Sequence, residues 1–202
     1  MLPSSYEKQD CLLARALEVV GERWTLLVLR DAFYGVRRFN DFLNHLDLPR
    51  TVLSNRLRSL VENGVMMKVP DPSHSGRWLY ELTDDGMALW PALYALGAWG
   101  ARRSSARQGT RGLLFTHDAC DTPLDPSARC EQCGVLPAAN HVFLMPVGAP
   151  NPGARTDPVE QGLRCKHRLL DFLPVDSSDS SRRRPAEIPS APTPRQRPKA
   201  LR

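Results

Sequence analysis

Four side chains in the second half of the sequence have the types and spacing of a metal site. In THDACDTPLDPSARCEQCG, two residues separate His117 from Cys120, two separate Cys130 from Cys133, and nine lie between the pairs. Each pair closes a tight turn and the intervening loop brings the two half-sites together, which is what a tetrahedral zinc ion requires. The plainer reading is a set of unrelated thiols. Cys165, with His167 two residues further on, is an alternative to His117 as the fourth ligand, and a ribbon using it would enclose the whole segment from His117 to His167. Four protein ligands leave no open position for a substrate, so the zinc would be structural. A zinc-dependent enzyme is the competing function, but neither an HExxH motif nor a glycine-rich phosphate loop occurs.

The fifth cysteine, Cys11, opens a helix one turn before Arg15. It is a candidate redox sensor, or a small apolar residue packed at a helix or dimer contact. Met1 to Asp10 is polar and carries no secretory signature, and no run approaches the length of a membrane span. A cytoplasmic protein is expected, where five cysteines point to metal or redox chemistry rather than to a disulfide framework.

A second constellation belongs to nucleic-acid recognition. It is LPRTVLSNRLRSLVENG, Leu48 to Gly64. Pro49 suits a helix start and Gly64 the position just past a helix end. On a helical wheel Leu57 and Leu60 fall close to Leu53, while Thr51, Asn55, Arg58 and Glu62 fall opposite. Upstream, Phe39, Phe42, Leu43 and Leu46 follow helical spacing, and only Asp47 and Leu48 separate the two helices. This is a helix-turn-helix, whose second helix can enter a major groove. Val65 to Val69 and Trp78 to Leu82 then form a β-hairpin across a run of turn residues, which makes the unit a winged helix.

Asn55 can pair with adenine and Arg58 with guanine or phosphate, while Arg50, Thr51 and Ser54 lie toward the end of the helix that reaches bases. Arg38, Lys68 and Arg77 are further candidates for DNA contact, the last two on the wing. Arg56 flanks the core face and is expected to fold back on a carboxylate or touch a phosphate. A winged-helix module that binds protein instead of DNA would share this pattern.

The segments CLLARALEVVGERWTLLVLRD (Cys11 to Asp31), GVRRFNDF (Gly35 to Phe42), RTVLSNRLRSLVENGV (Arg50 to Val65), YELTDDGMALWPAL (Tyr80 to Leu93) and AWG (Ala98 to Gly100) resemble the HxlR-type winged helix-turn-helix regulators, relatives of the MarR group. The resemblance covers the first half of the chain. It implies a dimeric DNA-binding repressor or activator whose partners are an operator duplex and a second copy, with a small-molecule or redox effector possible in principle. Relatives with a longer C-terminus usually carry glycine directly after the first cysteine of the metal segment, where this chain has Asp121.

The elements that must position these sites follow. Leu13, Ala16, Leu17 and Val20 predict a short helix ending at Gly21, and Trp24 to Phe33 a second, apolar one. Thr83, Asp84 and Asp85 start a helix running to about Arg102, kinked at Pro91. Its Leu89, Trp90, Leu93, Leu96 and Trp99, with the N-terminal helix, are assigned to a dimer interface. The net charge of +5 resides in Ser177 to Arg202, where seven basic residues face two acidic ones, so the high pI says nothing about the folded part. Arg37 to Tyr80, by contrast, holds seven basic and four acidic residues, a local excess suited to phosphate.

The expected architecture is mainly α with a β-hairpin wing: a winged helix-turn-helix domain over 1–102, a linker over 103–112, a cysteine-rich zinc-ribbon-like segment over 113–176, and a disordered basic, proline-rich tail over 177–202.

Overall fold

The computed structural model describes Tyr6 and residues 8–104, 112–148 and 156–173. The basic tail, most of the expected linker and the middle of the Pro/Gly loop after Val147 lie outside them.

Helix α1 (Leu12–Val20) starts from Cys11 and ends at Gly21, as its apolar spacing predicts. Its apolar face is not covered: Ala14 is buried, whereas Leu12 is 90% and Leu13 67% exposed. Helix α2 (Thr25–Phe33) runs through the centre of the molecule, burying Val28, Leu29, Ala32 and Phe33. Helices α3 (Phe39–Leu46) and α4 (Arg50–Glu62) form the helix-turn-helix. The turn between them is made by Asp47 at φ +50, a left-handed value that aspartate tolerates, and Leu53, Leu57 and Leu60 are the buried face of α4. Strands β1 (Met66–Pro70) and β2 (Trp78–Leu82) pair antiparallel from Met66↔Leu82 to Pro70↔Trp78. Residues 37–38 run beside β2 without forming a strand: the Tyr80 amide donates to the Arg37 carbonyl, and Arg38 makes an isolated bridge to Leu79.

The helix expected from Asp84 to Arg102 is two helices. α5 (Asp84–Met87) is capped by Thr83, whose hydroxyl accepts from the Gly86 amide at 3.1 Å, and α6 (Trp90–Ser104) follows after a break at Ala88 and Leu89. A proline cannot bond back to the carbonyl four residues earlier and its ring collides with it, so the chain stops at Met87 and restarts with Pro91 in a first turn, where nothing is lost. The interface assignment of this helix also divides. Trp90 is buried inside its own chain, while Leu96 and Trp99 are 51% and 55% exposed.

Residues 112–148 and 156–173 contribute an antiparallel sheet of β3 (Gly112–His117), β4 (Thr122–Pro123), β5 (Val142–Val147) and β6 (His167–Arg168), in the order β4-β3-β5-β6, with a short helix α7 (Pro158–Gly162). This sheet shares one continuous core with the winged helix. The Trp90 ring lies 5.5 Å from each of Phe33 on α2, Tyr94 on α6 and Phe115 on β3, and the Tyr94 hydroxyl donates to the Leu124 carbonyl at 3.1 Å. Burial pushes the Tyr34 phenol, beside this cluster, up to about 12.

A buried ionic network joins α7 to the helix-turn-helix. Asp31, fully buried, accepts from Arg30 at 2.7 and 2.9 Å and lies 3.8 Å from His45, whose other ring nitrogen is 3.0 Å from Asp157. Asp157 also caps α7 by accepting from the Glu160 amide. Burial raises the Asp31 carboxyl above its ordinary range, against the pull of Arg30 and His45.

A candidate DNA-reading face and a candidate metal centre

On α4, the residues opposite the buried leucines face solvent. Arg50, Thr51, Asn55 and Arg58 are exposed and Ser54 is half-buried. Arg50 lies over the Phe39 ring at 4.7 Å, so its stem is supported from α3. Arg56 folds back on a carboxylate, Glu22, at 3.2 Å. On the wing, Lys68 lies 5.5 Å over the Tyr80 ring and Arg77 is exposed at the end of the turn.

Arg38 is placed differently from the other candidates. Its guanidinium is mostly buried, paired with Asp71 at 3.2 Å and seated 5.0 Å over the Phe172 ring. It is a link inside the protein, between the base of the wing and the C-terminal segment, and not part of the solvent-facing row. Local spacing could not reveal this, because Asp71 and Phe172 are distant in sequence.

The structure brings His117, Cys120, Cys130 and Cys133 together, with all four ligand atoms within 4.8 Å of one another. Cys165 is exposed and lies outside this group, and His167, its companion in the alternative ligand set, sits half-buried on β6. His117 ends β3, and the turn that follows closes through the Asp121 amide donating to the His117 carbonyl at 2.8 Å. Asp121 takes φ +52, a left-handed value that glycine adopts freely and aspartate tolerates; its carboxylate accepts from Thr116 at 3.0 Å and Lys166 at 2.6 Å. The second pair forms a knuckle in which the Cys133 amide points at the Cys130 sulfur at 3.4 Å and the Gly134 amide donates to the Cys130 carbonyl at 2.8 Å.

The Cys120 sulfur is 3.4 Å from that of Cys130, 3.5 Å from that of Cys133, and 3.6 Å from Nδ1 of His117. A disulfide needs about 2.05 Å. A tetrahedral ion with metal–sulfur bonds of about 2.3 Å places its sulfurs about 3.8 Å apart, so these sulfur pairs need only widen by a few tenths of an ångström to form a metal cage. The thiols differ in acidity. The Thr122 hydroxyl, then the neighbouring thiols, pull Cys120 down to about 6, while contact with Cys120 and Cys130 pushes Cys133 up to about 11.

Behind the histidine, Asp118 lies 3.8 Å from Nε2 of His117 and accepts from His141 at 3.0 Å and Arg168 at 2.6 Å. Partial burial raises Asp118, but these two donors outweigh it and hold the carboxyl below its ordinary range. At 3.8 Å Asp118 is within ion-pair range of the His117 ring and beyond hydrogen-bond distance. Cys11 stands exposed at the start of α1, and Arg15 turns to Glu18 at 3.4 Å.

Residues 19–108 match the model of the HxlR-like helix-turn-helix. An uncharacterized helix-turn-helix-type transcriptional regulator of Mycobacterium tuberculosis is 42% identical over 134 residues, which is 66% of this chain and 84% of that protein. The Bacillus subtilis regulator YvaP, also of helix-turn-helix type, is 34% identical over 86 residues, covering 42% of this chain and 80% of its own. The crystal structure of PA1607, described as a candidate transcription factor, is similar with a TM-score of 0.55 and 35% identity, covering 75% of this chain and 99% of that one.

Proposed function

Given that the chain belongs to the HxlR-like helix-turn-helix family of transcriptional regulators, we propose that it acts in the cytoplasm as a homodimeric repressor on a pseudo-palindromic operator. The observation that carries this reading is the solvent-facing row of Arg50, Thr51, Asn55 and Arg58 on α4, beside a hairpin that offers Lys68 and Arg77. In the mechanism, α4 enters a major groove: Asn55 and Arg58 read base edges, Arg50, Thr51 and Ser54 fix its N-terminal end, and Lys68 and Arg77 hold phosphates or an adjacent minor groove. Two such helices, on half-sites about 34–36 Å apart, block the promoter by occupying it. The second copy docks through the uncovered face of Leu12, Leu13 and Leu17 on α1 with Leu96 and Trp99 on α6.

The ion that the candidate metal centre would hold is zinc, on His117, Cys120, Cys130 and Cys133, with Asp118 beside the imidazole. Such an ion would supply a structural cross-link and no catalytic chemistry, because four protein ligands would complete its coordination.

A gel shift on the duplex upstream of the gene, against a random duplex of the same length, tests the reading. Asn55→Ala and Arg58→Ala should each cost roughly 1–3 kcal/mol on the former and little on the latter. Equal losses on both duplexes would refute base reading by α4.

A further inference from the structure

We propose that Phe172 is a positioning residue for the wing: the segment Leu169 to Leu173, far from the hairpin in sequence, sets the angle at which the hairpin meets DNA. The inference rests on the DNA-binding reading above and deepens it.

Both guanidiniums of residues 37 and 38 converge on the Phe172 ring, at 5.6 and 5.0 Å from its centroid. Two cations on one ring would repel each other, but each has its own counter-charge, and each counter-charge belongs to the wing. Arg37 pairs with Glu81 on β2 at 2.6 Å, and Arg38 pairs with Asp71, where β1 gives way to the turn, at 3.2 Å. Both legs of the hairpin are therefore tied to residues 37–38, and the ring fixes the two ties relative to each other.

Asp71 transmits this to the tip. It is almost completely buried, accepts from the Ser73 amide at 2.8 Å, and its own amide donates to the Arg77 carbonyl at 2.9 Å.

The C-terminal segment is itself held by main-chain bonds. The Leu170 amide donates to the Phe33 carbonyl at 2.8 Å, the Leu173 amide to the Gly35 carbonyl at 3.0 Å, and Arg37 donates to the Leu170 carbonyl at 2.9 Å. The approach is so close that a Cβ on Gly35, at φ +87, would lie 1.8 Å from the Asp171 carbonyl oxygen. Glycine there serves the docking of a segment more than a hundred residues away. Surface ion pairs alone would leave a two-stranded hairpin loosely aimed; the ring and the strand-like docking remove that freedom.

The test uses the full chain and two duplexes, the upstream region of the gene and a random sequence, with affinity measured against salt. Phe172→Leu keeps apolar bulk but removes the ring face, and should lower the salt slope by about one phosphate contact, the same loss expected of Arg77→Ala. The double variant should show no further drop, and Phe172→Tyr should behave as the unsubstituted chain. A slope unchanged in Phe172→Leu, or additive losses in the double variant, would overturn the positioning role while leaving DNA binding intact. An unsubstituted chain that binds neither duplex would overturn the DNA reading and this role with it. A second measurement needs no variant: in amide hydrogen exchange the Tyr80 and Asp71 amides should open together with those of Leu170 and Leu173. Wing amides that open independently of the C-terminal segment would overturn the proposal.

Discussion

Replacing Trp90 separates two consequences of its position. The side chain is 3% exposed and meets three aromatic rings at 5.5 Å, one on α2, one on α6 and one on β3 of the C-terminal sheet. Trp90→Ala should therefore cost about 3–5 kcal/mol for the cavity, with ring pairs of about 0.5–1.5 kcal/mol each adding to the upper end. Its indole N–H, however, is buried without a hydrogen-bond partner among the described residues. That defect costs about 1–3 kcal/mol in the intact protein, so Trp90→Phe, which keeps a ring and removes the N–H, should cost less than about 1.5 kcal/mol. Urea unfolding would be followed by far-ultraviolet circular dichroism for the helices and by hydrogen exchange for the Phe115 and Leu144 amides. Because the ring joins the winged helix to the sheet, both probes should shift together in Trp90→Ala. Strand protection unchanged while the helices lose stability would refute the shared core, and a Trp90→Phe as damaging as Trp90→Ala would refute the orphaned N–H.

Three further outcomes are expected. The purified reduced protein should contain about one zinc per chain, and Cys130→Ser should lose it while Cys165→Ser should not, by metal analysis; loss in Cys165→Ser would return that residue to the ligand set. Burial raises Asp41 to about 6, with Arg38 offsetting only part. A folded value above the unfolded one means that this contribution to stability is complete below about pH 4 and is lost as pH rises through about 6, on the order of 2 kcal/mol, so Asp41→Asn should flatten the stability profile between pH 4 and 7. Unfolding midpoints measured across that range would show whether it does. Finally, Leu13→Glu combined with Trp99→Glu should give monomers in sedimentation, with weaker operator binding and an unchanged unfolding midpoint for the chain itself.

The features that were legible in the sequence are those whose determinants are local. Pro49 and Gly64 bracket α4 to within a residue, the leucine spacing identifies its buried face, and turn residues between two β-rich runs locate the hairpin. Pairs of candidate ligands two residues apart are legible for the same reason, whereas which of His117 and Cys165 joins the cluster depends on how the sheet folds back, which spacing does not contain. Pro91 announced a disturbance but not its form: whether a helix kinks or restarts is decided by what Trp90 packs against. The ion pair of Arg38 with Asp71 and the docking of Asp171 against Gly35 join parts far apart in sequence, and neither leaves a periodic signal. Gly35 could have suggested a positive φ, yet nothing near it names the backbone that lies against it.

The network of Arg30, Asp31, His45 and Asp157 has a meaning beyond the contacts it makes. Charged groups removed from water add little to net stability even when well paired, but one left without its counter-charge costs about 3–5 kcal/mol. A seating of α7 shifted along α3 would part Asp157 from His45 and leave the largely buried Asp157 carboxylate and the His45 ring without each other. Leucines and valines at the same junction would tolerate such slippage, since apolar surfaces accept many neighbours. The network works as a key and its wards: it discriminates among near-native arrangements by penalising every wrong one, and so holds the first helix of the helix-turn-helix in a single register against the C-terminal half.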